Sequence, residues 1–84
     1  MASYSRDTYQ KMFDQMLSQE LSYNSSAATE ANIRNAMKRI LGTSIKKGLL
    51  RGYAFLVLDE QLNVHFIIIG ADGTEFDIEL EYGV

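Results

Sequence analysis

Histidine is the side chain that most readily exchanges a proton near neutral pH, and this chain of 84 residues has one, His65. A catalytic base needs a nucleophile or a substrate within hydrogen-bond reach, and the sequence contains no motif that supplies either. One histidine and no cysteine cannot form the usual zinc site. Asp59, Glu60 and Asp72 lack the spacing of a calcium loop. We therefore expect no enzymatic activity, no metal and no other cofactor.

Charge is the second chemical feature, because basic and acidic residues are separated along the chain. Residues 34–51 contain six basic side chains and no acid, whereas residues 59–84 contain seven acids and no Lys or Arg. Such asymmetry determines what a molecule attracts more than how it folds. The pattern therefore favours a function in binding. The basic side chains are Arg34, Lys38, Arg39, Lys46, Lys47 and Arg51.

Four of the acids alternate with apolar residues near the end of the chain. In a strand, this segment places the four carboxylates about 6.8 Å apart in a row on one sheet face. The simplest interpretation is the solvated outer face of a two-layer fold. The alternatives are a site for a basic surface of another protein, an imitation of nucleic acid, or a contact with the basic helix of a second copy. We call this set the acidic row: Glu75, Asp77, Glu79 and Glu81.

The expected middle strand, residues 62–69, becomes apolar on both faces toward its end. If the helices cover only one face of the sheet, Ile67 and Ile69 lie on the open face beside the acidic row, together with Tyr53 from the preceding strand. An apolar patch rimmed by carboxylates is typical of a protein-binding surface. In such a site the row steers the partner and the three apolar residues anchor it. The alternative is a local cluster covered by a tyrosine or by the N-terminal segment.

The basic residues form a second candidate surface, on the outer side of a predicted helix and beyond its end. The ordinary interpretation is a solvated helix face. Direct binding of nucleic acid is not expected, because the net charge is −3 and the isoelectric point is about 4.9. In addition, no aromatic residues lie between the cations to stack bases.

Length and composition fit a single small domain, residues 1–84. Hydrophobic residues make up 46% of the chain and charged residues 23%, which is too apolar for intrinsic disorder. No secretory signal is visible, and the longest apolar run, residues 53–58, is far shorter than the roughly 18 residues that cross a bilayer. We expect a cytoplasmic protein, of a cell or of an infected host cell, with no membrane partner.

The first half of the chain is predicted to form two helices. Apolar residues at steps of three and four predict a helix over 7–23, and the polar cluster at 24–26 predicts a turn. A second apolar stripe runs from Ala28 to Ile45. Ser26 or Thr29 caps the start of this second helix.

Two glycines compete to end the second helix. Gly42 interrupts the apolar pattern, whereas Gly48 follows it. The longer helix, ending before Gly48, is favoured because Ile45 keeps the register and Lys46 and Lys47 suit the negative end of the helix dipole.

The second half of the chain is predicted to form three strands. Short runs of β-branched and aromatic residues occupy 53–58, 62–69 and 74–82. The short connections, including Gly70-Ala71-Asp72-Gly73, permit only antiparallel hairpins. The predicted fold class is α+β, with two N-terminal helices packed on one face of a three-stranded antiparallel meander.

The stretch from Ile33 to Tyr82 is a helix followed by strands that read Leu62-Asn63-Val64-His65-Phe66 and Phe76-Asp77-Ile78-Glu79-Leu80. It resembles the helix-plus-hairpin segment of small baseplate proteins of contractile phage tails. The resemblance implies a structural role in which sheet edges are passed between subunits.

Two functions follow from these patterns. The first is a small non-enzymatic module that binds another protein stoichiometrically through an acidic, partly apolar sheet face, as a viral inhibitor of a host nucleic-acid-binding protein would. The alternative is a self-assembling structural subunit, such as a phage tail or baseplate component, in which the basic helix meets the acidic row. The expected partner is accordingly a basic surface of another protein or a second copy of this chain.

Overall fold

The computed structural model of the chain describes residues 4–23 and 27–81, without the side chain of Phe55. Two helices, α1 (Arg6–Tyr23) and α2 (Glu30–Lys46), precede three strands. The strands are β1 (Leu50–Leu58), β2 (Asn63–Gly70) and β3 (Glu75–Glu81), and they form one antiparallel sheet in the order β1-β2-β3. The predicted α+β fold is confirmed. The expected turn at 24–26 and the end of the third strand at Tyr82 lie outside the described residues.

Helix α1 buries the apolar stripe that its sequence predicts. Tyr9, Phe13, Leu17 and Leu21 recur at steps of four and are fully or almost fully buried. The ring of Phe13 meets that of Phe66 on β2 edge to face, with centroids 5.5 Å apart. The helix therefore packs its apolar side directly on the sheet.

Helix α2 begins at the Thr29 cap and not at Ala28. The Thr29 side chain accepts a hydrogen bond from the Asn32 N–H at 3.3 Å, and its backbone is extended, as in an N-cap. Ala28 precedes this cap and is exposed, so its assignment to the buried stripe is wrong. The alternative cap, Ser26, lies outside the described residues.

The end of α2 follows the longer of the two predictions. The helix continues past Gly42 to Lys46, and Gly48 adopts a left-handed conformation with φ of 77°. Ile45, however, is 37% exposed and does not join the core. Ser44 takes the buried position, where its hydroxyl donates to the carbonyl of Ile40 at 2.8 Å and so satisfies its own polar group.

Both helices lie on the same face of the sheet, α1 over β3 and α2 over β1. The side chains that point toward them are buried, among them Val64, Phe66 and Ile68 on β2 and Ile78 on β3. The other face has no covering layer among the described residues. Within those residues, neither helix is long and apolar enough to cross a lipid bilayer.

Strand β1 departs from regular pairing at two places. Its partners shift between Leu50 and Gly52 and again between Ala54 and Val57, so β1 carries an extra residue at each bulge. One extra residue reverses the face to which later side chains point. Tyr53 therefore pairs with Ile68 on the helix-covered face, whereas Val57, which follows the second bulge, pairs with His65 on the open face.

Candidate functional site

The acidic row lies on the open face of the sheet, along β3. The register pairs Glu75 with Ile69, Asp77 with Ile67, and Glu79 with His65. The hydrogen bond from Gly70 N–H to the Thr74 carbonyl closes the hairpin. Counting from that bond, these three pairs are non-hydrogen-bonded ones, in which cross-strand side chains approach most closely. The structure thus brings Ile67 and Ile69 into direct contact range of the row.

The row has little internal charge compensation. Within residues 4–23 and 27–81, no Lys or Arg side chain forms an ion pair with Glu75, Asp77 or Glu81. Glu79 lies 4.0 Å from Nδ1 of His65. Arg6 approaches from the sheet edge, but its Nε donates to the backbone carbonyl of Asp77 at 2.7 Å and not to a carboxylate. The carboxylates of Glu75, Asp77 and Glu81 are therefore available to external cations.

His65 stands between two carboxylates. Its Nε2 is 3.2 Å from Oδ2 of Asp59, and its Nδ1 faces Glu79. The other oxygen of Asp59, Oδ1, accepts the backbone N–H groups of Gln61 and Asn63 at 2.9 Å. The hydrogen bond from Asn63, assisted by His65 and opposed by partial desolvation, lowers the pKa of Asp59. Both ring nitrogens face carboxylates, and the contact with Asp59 helps to hold the turn between β1 and β2.

The apolar part of the face includes one residue that the sequence analysis did not select. Val57 is 53% exposed and lies opposite His65. Val57, His65, Ile67 and Glu79 line a shallow groove of about 510 Å³. An apolar run without alternation does not reveal which residues face outward, and the β1 bulge decides this for Val57.

Tyr53 does not belong to this surface. It is 38% exposed, but it lies at the margin of the helix-covered face, opposite Ile68. The prediction that Tyr53 sits with Ile67 and Ile69 is therefore wrong, and the physical reason is the register of β1 after its first bulge.

The predicted basic surface is divided by the fold. Arg34 and Arg39 lie on opposite flanks of α2, since Arg34 donates to the carbonyl of Leu56 on β1 at 3.3 Å and Arg39 pairs with Glu20 on α1 at 2.5 Å. Arg51 donates to the carbonyl of Ala71 at 3.1 Å. The arginines thus hold elements together.

The lysines of the basic set behave differently. Within the described ranges, the side chains of Lys38, Lys46 and Lys47 are exposed and form no ion pair. They remain a solvated part of the α2 surface.

Both free edges of the sheet are contacted by helix side chains. Asp77 and Glu79 belong to non-hydrogen-bonded pairs with β2, so their carbonyls point away from the sheet, at the β3 edge. Arg6 donates to the first carbonyl and Gln10, one turn later on α1, donates to the second. On the other edge strand, β1, the Leu56 carbonyl accepts from Arg34. Sequence patterns gave no signal for these contacts.

A larger groove, of about 860 Å³, lies between α1 and α2. Met16, Tyr23 and Ile40 line it, and the Glu20–Arg39 pair crosses it, so its charges balance. The open sheet face carries carboxylates that form no ion pair with Lys or Arg among the described residues, beside apolar side chains, and is therefore the stronger candidate site.

No group of three or more His, Asp or Glu side chains in the described part of the chain could hold a metal ion. Comparison of the chain with protein-family models, with curated proteins and with solved structures gives no match.

Proposed function

We propose that this protein is a non-enzymatic binding protein that holds a basic surface of another protein against the open face of its sheet. The observation that supports this proposal is the acidic row on β3, which has no Lys or Arg ion pair among the described residues and lies beside Val57, Ile67 and Ile69. The row supplies charge, and the neighbouring β1 and β2 side chains supply apolar area.

The physical argument is one of electrostatic complementarity. Four carboxylates about 6.8 Å apart lie within one Debye length of their neighbours at physiological salt, so they repel one another in the free protein. A partner that brings cations relieves this repulsion and is attracted from a distance. Partly exposed aliphatic side chains then anchor the complex by losing contact with water.

Occupation of a basic surface also blocks whatever else that surface binds. The proposal therefore includes the case in which this protein inhibits a nucleic-acid-binding protein, as a viral inhibitor of a host protein would. Strict mimicry of a nucleic-acid strand is less well supported, because Asp59 and Asp72 are held in turns, where they accept backbone N–H groups, and they do not fill the gaps of the row. The row keeps about half the charge density of one DNA strand.

The test compares three immobilised proteins in affinity capture from extract of the native cells, followed by mass spectrometry. They are the wild type, the face variant Glu75→Lys/Glu81→Lys, and the control variant Asp14→Lys/Glu60→Lys, which changes net charge by the same amount on other exposed positions. We expect the wild type and the control to retain a protein that the face variant loses. Retention of the same proteins by all three would overturn the proposal. Circular dichroism verifies that each variant is folded.

A further inference from the structure

We infer that the element of the partner that covers the open face is an amphipathic basic α-helix lying along the strands, with its apolar stripe over β1 and β2 and its cations over β3. This inference rests on the proposed function and specifies the partner of the same site.

The sheet edges exclude the simplest competing element, an added strand. A strand that joins a sheet must pair with the backbone groups of an edge. At the β3 edge, the carbonyls of Asp77 and Glu79 already accept from Arg6 and Gln10 of α1. At the β1 edge, two bulges distort the ladder and Arg34 holds the Leu56 carbonyl. Charged side chains and bulges at edges are the features that prevent strand addition.

An extended segment is also a poor cover for the face itself. Lying on side chains and not on an edge, a single strand leaves its own N–H and C=O groups without partners next to Val57, Ile67 and Ile69. A helix satisfies its backbone internally. A helix also completes a three-layer arrangement in which both faces of the sheet are covered.

The composition of the face varies across the strands in a way that fits one helix. On the open side, β3 contributes the acidic row, and the other two strands contribute Gly52, Ala54 and Val57 (β1) and Asn63, His65, Ile67 and Ile69 (β2). Along β2 the apolar area adjoins Glu75 and Asp77, and it continues on β1 through Val57, on the far side of His65 from Glu79. The complementary element has an apolar stripe beside a basic flank, which is the pattern of an amphipathic helix.

The dimensions agree with this assignment. The row extends over about 20 Å from Glu75 to Glu81, which a helix of about 14 residues covers. Cations four residues apart rise by about 6.0 Å along a helix, compared with about 6.8 Å between carboxylates in the row. The flexible side chains of Lys and Arg take up this small difference. One cation on each of four successive turns therefore meets the four acids.

A second copy of this chain does not offer such a helix within the described residues. The apolar side of α2 is buried against its own sheet, through Ile33, Met37 and Leu41, and its exposed side is polar apart from Ala31 and Ile45. Arg34 and Arg39, the arginines of α2, are engaged within the protein. The occupant is accordingly a helix of a different protein.

The test uses a synthetic peptide of about 18 residues with leucines on one helix face and lysines on the adjoining flank, titrated into ¹⁵N-labelled protein. A diastereomer with D-residues at interior positions keeps composition and charge but cannot form the helix. We expect the all-L peptide to shift the amide signals of His65, Ile67, Asp77 and Glu79, and to bind about tenfold more tightly than the diastereomer, which is roughly 1.4 kcal/mol. The face variant should lose this binding and the control variant should keep it.

Equal affinity of the two peptides for the open face would overturn the inference that the partner element is a helix. The proposed function would stand, because a basic segment would still bind there. Binding of the all-L peptide elsewhere, or binding insensitive to Glu75→Lys/Glu81→Lys, would also overturn the inference. So would concentration-dependent shifts of the same amides without peptide, which would identify a second copy as the occupant. Failure of the proposed function is recognised separately, from the capture experiment.

Discussion

The hydroxyl of Tyr9 on α1 donates a hydrogen bond to the carbonyl of Leu49, in the loop between α2 and β1, at 2.9 Å. The same oxygen accepts from the N–H of Ala71, in the turn between β2 and β3, at 3.4 Å. Tyr9 is 1% exposed, so one buried phenol links the first helix to two connections that are distant in sequence. The phenol therefore ties α1 to the segment that leads into β1 and to the turn that joins β2 and β3.

Removal of this hydroxyl in Tyr9→Phe should destabilise the protein by about 1 to 3 kcal/mol, because the Leu49 carbonyl and the Ala71 N–H lose a buried partner. Urea unfolding followed by circular dichroism measures the change. Tyr23→Phe is the matched control, since Tyr23 is 90% exposed and should change the free energy of unfolding very little. Equal effects of the two substitutions would refute the structural role of the Tyr9 hydroxyl.

A substitution at Gly70 should be coupled to Tyr9. A Cβ at Gly70 would lie 3.1 Å from the Tyr9 hydroxyl oxygen, which is closer than ordinary packing allows. We therefore expect Gly70→Ala to destabilise the wild type more than it destabilises Tyr9→Phe, where that oxygen is absent. A double-mutant cycle measures the coupling from four unfolding curves. Additive free energies would show that the two residues do not interfere.

The contacts at the β3 edge should keep the protein monomeric. In Arg6→Ala/Gln10→Ala, the carbonyls of Asp77 and Glu79 lose their partners and the edge becomes a template for another strand. Light scattering should detect self-association that grows with protein concentration. Lys11→Ala/Gln15→Ala removes one basic side chain and one glutamine at the same spacing from exposed positions of α1 and should remain monomeric. A monomeric edge variant would show that these two side chains do not protect the edge.

The elements that the sequence predicts correctly are those whose pattern is periodic. The four-residue steps from Tyr9 to Leu21 define the buried side of α1, and the strict alternation from Glu75 to Glu81 defines both faces of β3. Strand β1 has no such alternation, so its bulges and the opposite placements of Tyr53 and Val57 have no local signal.

The edge contacts were beyond sequence reasoning for a different reason. At the β3 edge they join a side chain to a backbone carbonyl about 70 positions away, as Arg6 and Asp77 show with a separation of 71 residues. Any carbonyl in the chain has the same chemistry, so residue types do not identify the acceptor. Only the packing of α1 over β3 selects it.

Asp59 should make stability depend on pH in the acid range. Its pKa is lowered in the folded protein, first by the hydrogen bond from the Asn63 N–H, so the charged carboxylate favours folding. This contribution is fully present above the ordinary aspartate value of 3.8 and is lost as the pH falls through the lower folded value. Asp59→Asn keeps an oxygen acceptor for the turn but cannot titrate. Below about pH 4, the free energy of unfolding should therefore fall less steeply with decreasing pH for the variant than for the wild type. Equal slopes for the two proteins would contradict this role of Asp59.

The acidic row should cost the free protein stability that a partner restores. Repulsion among the four carboxylates opposes folding and is screened by salt, so the melting temperature of the wild type should rise when salt is added. Glu75→Gln/Glu81→Gln should melt at a higher temperature than the wild type at low salt and should respond less to added salt. Asp14→Asn/Glu60→Gln removes two charges from separated exposed positions and should leave the salt response close to that of the wild type. If both variants changed the salt response equally, net charge and not the row would be responsible. A response confined to the row variant would show that these acids lower the stability of the free protein, which is expected of residues that serve binding.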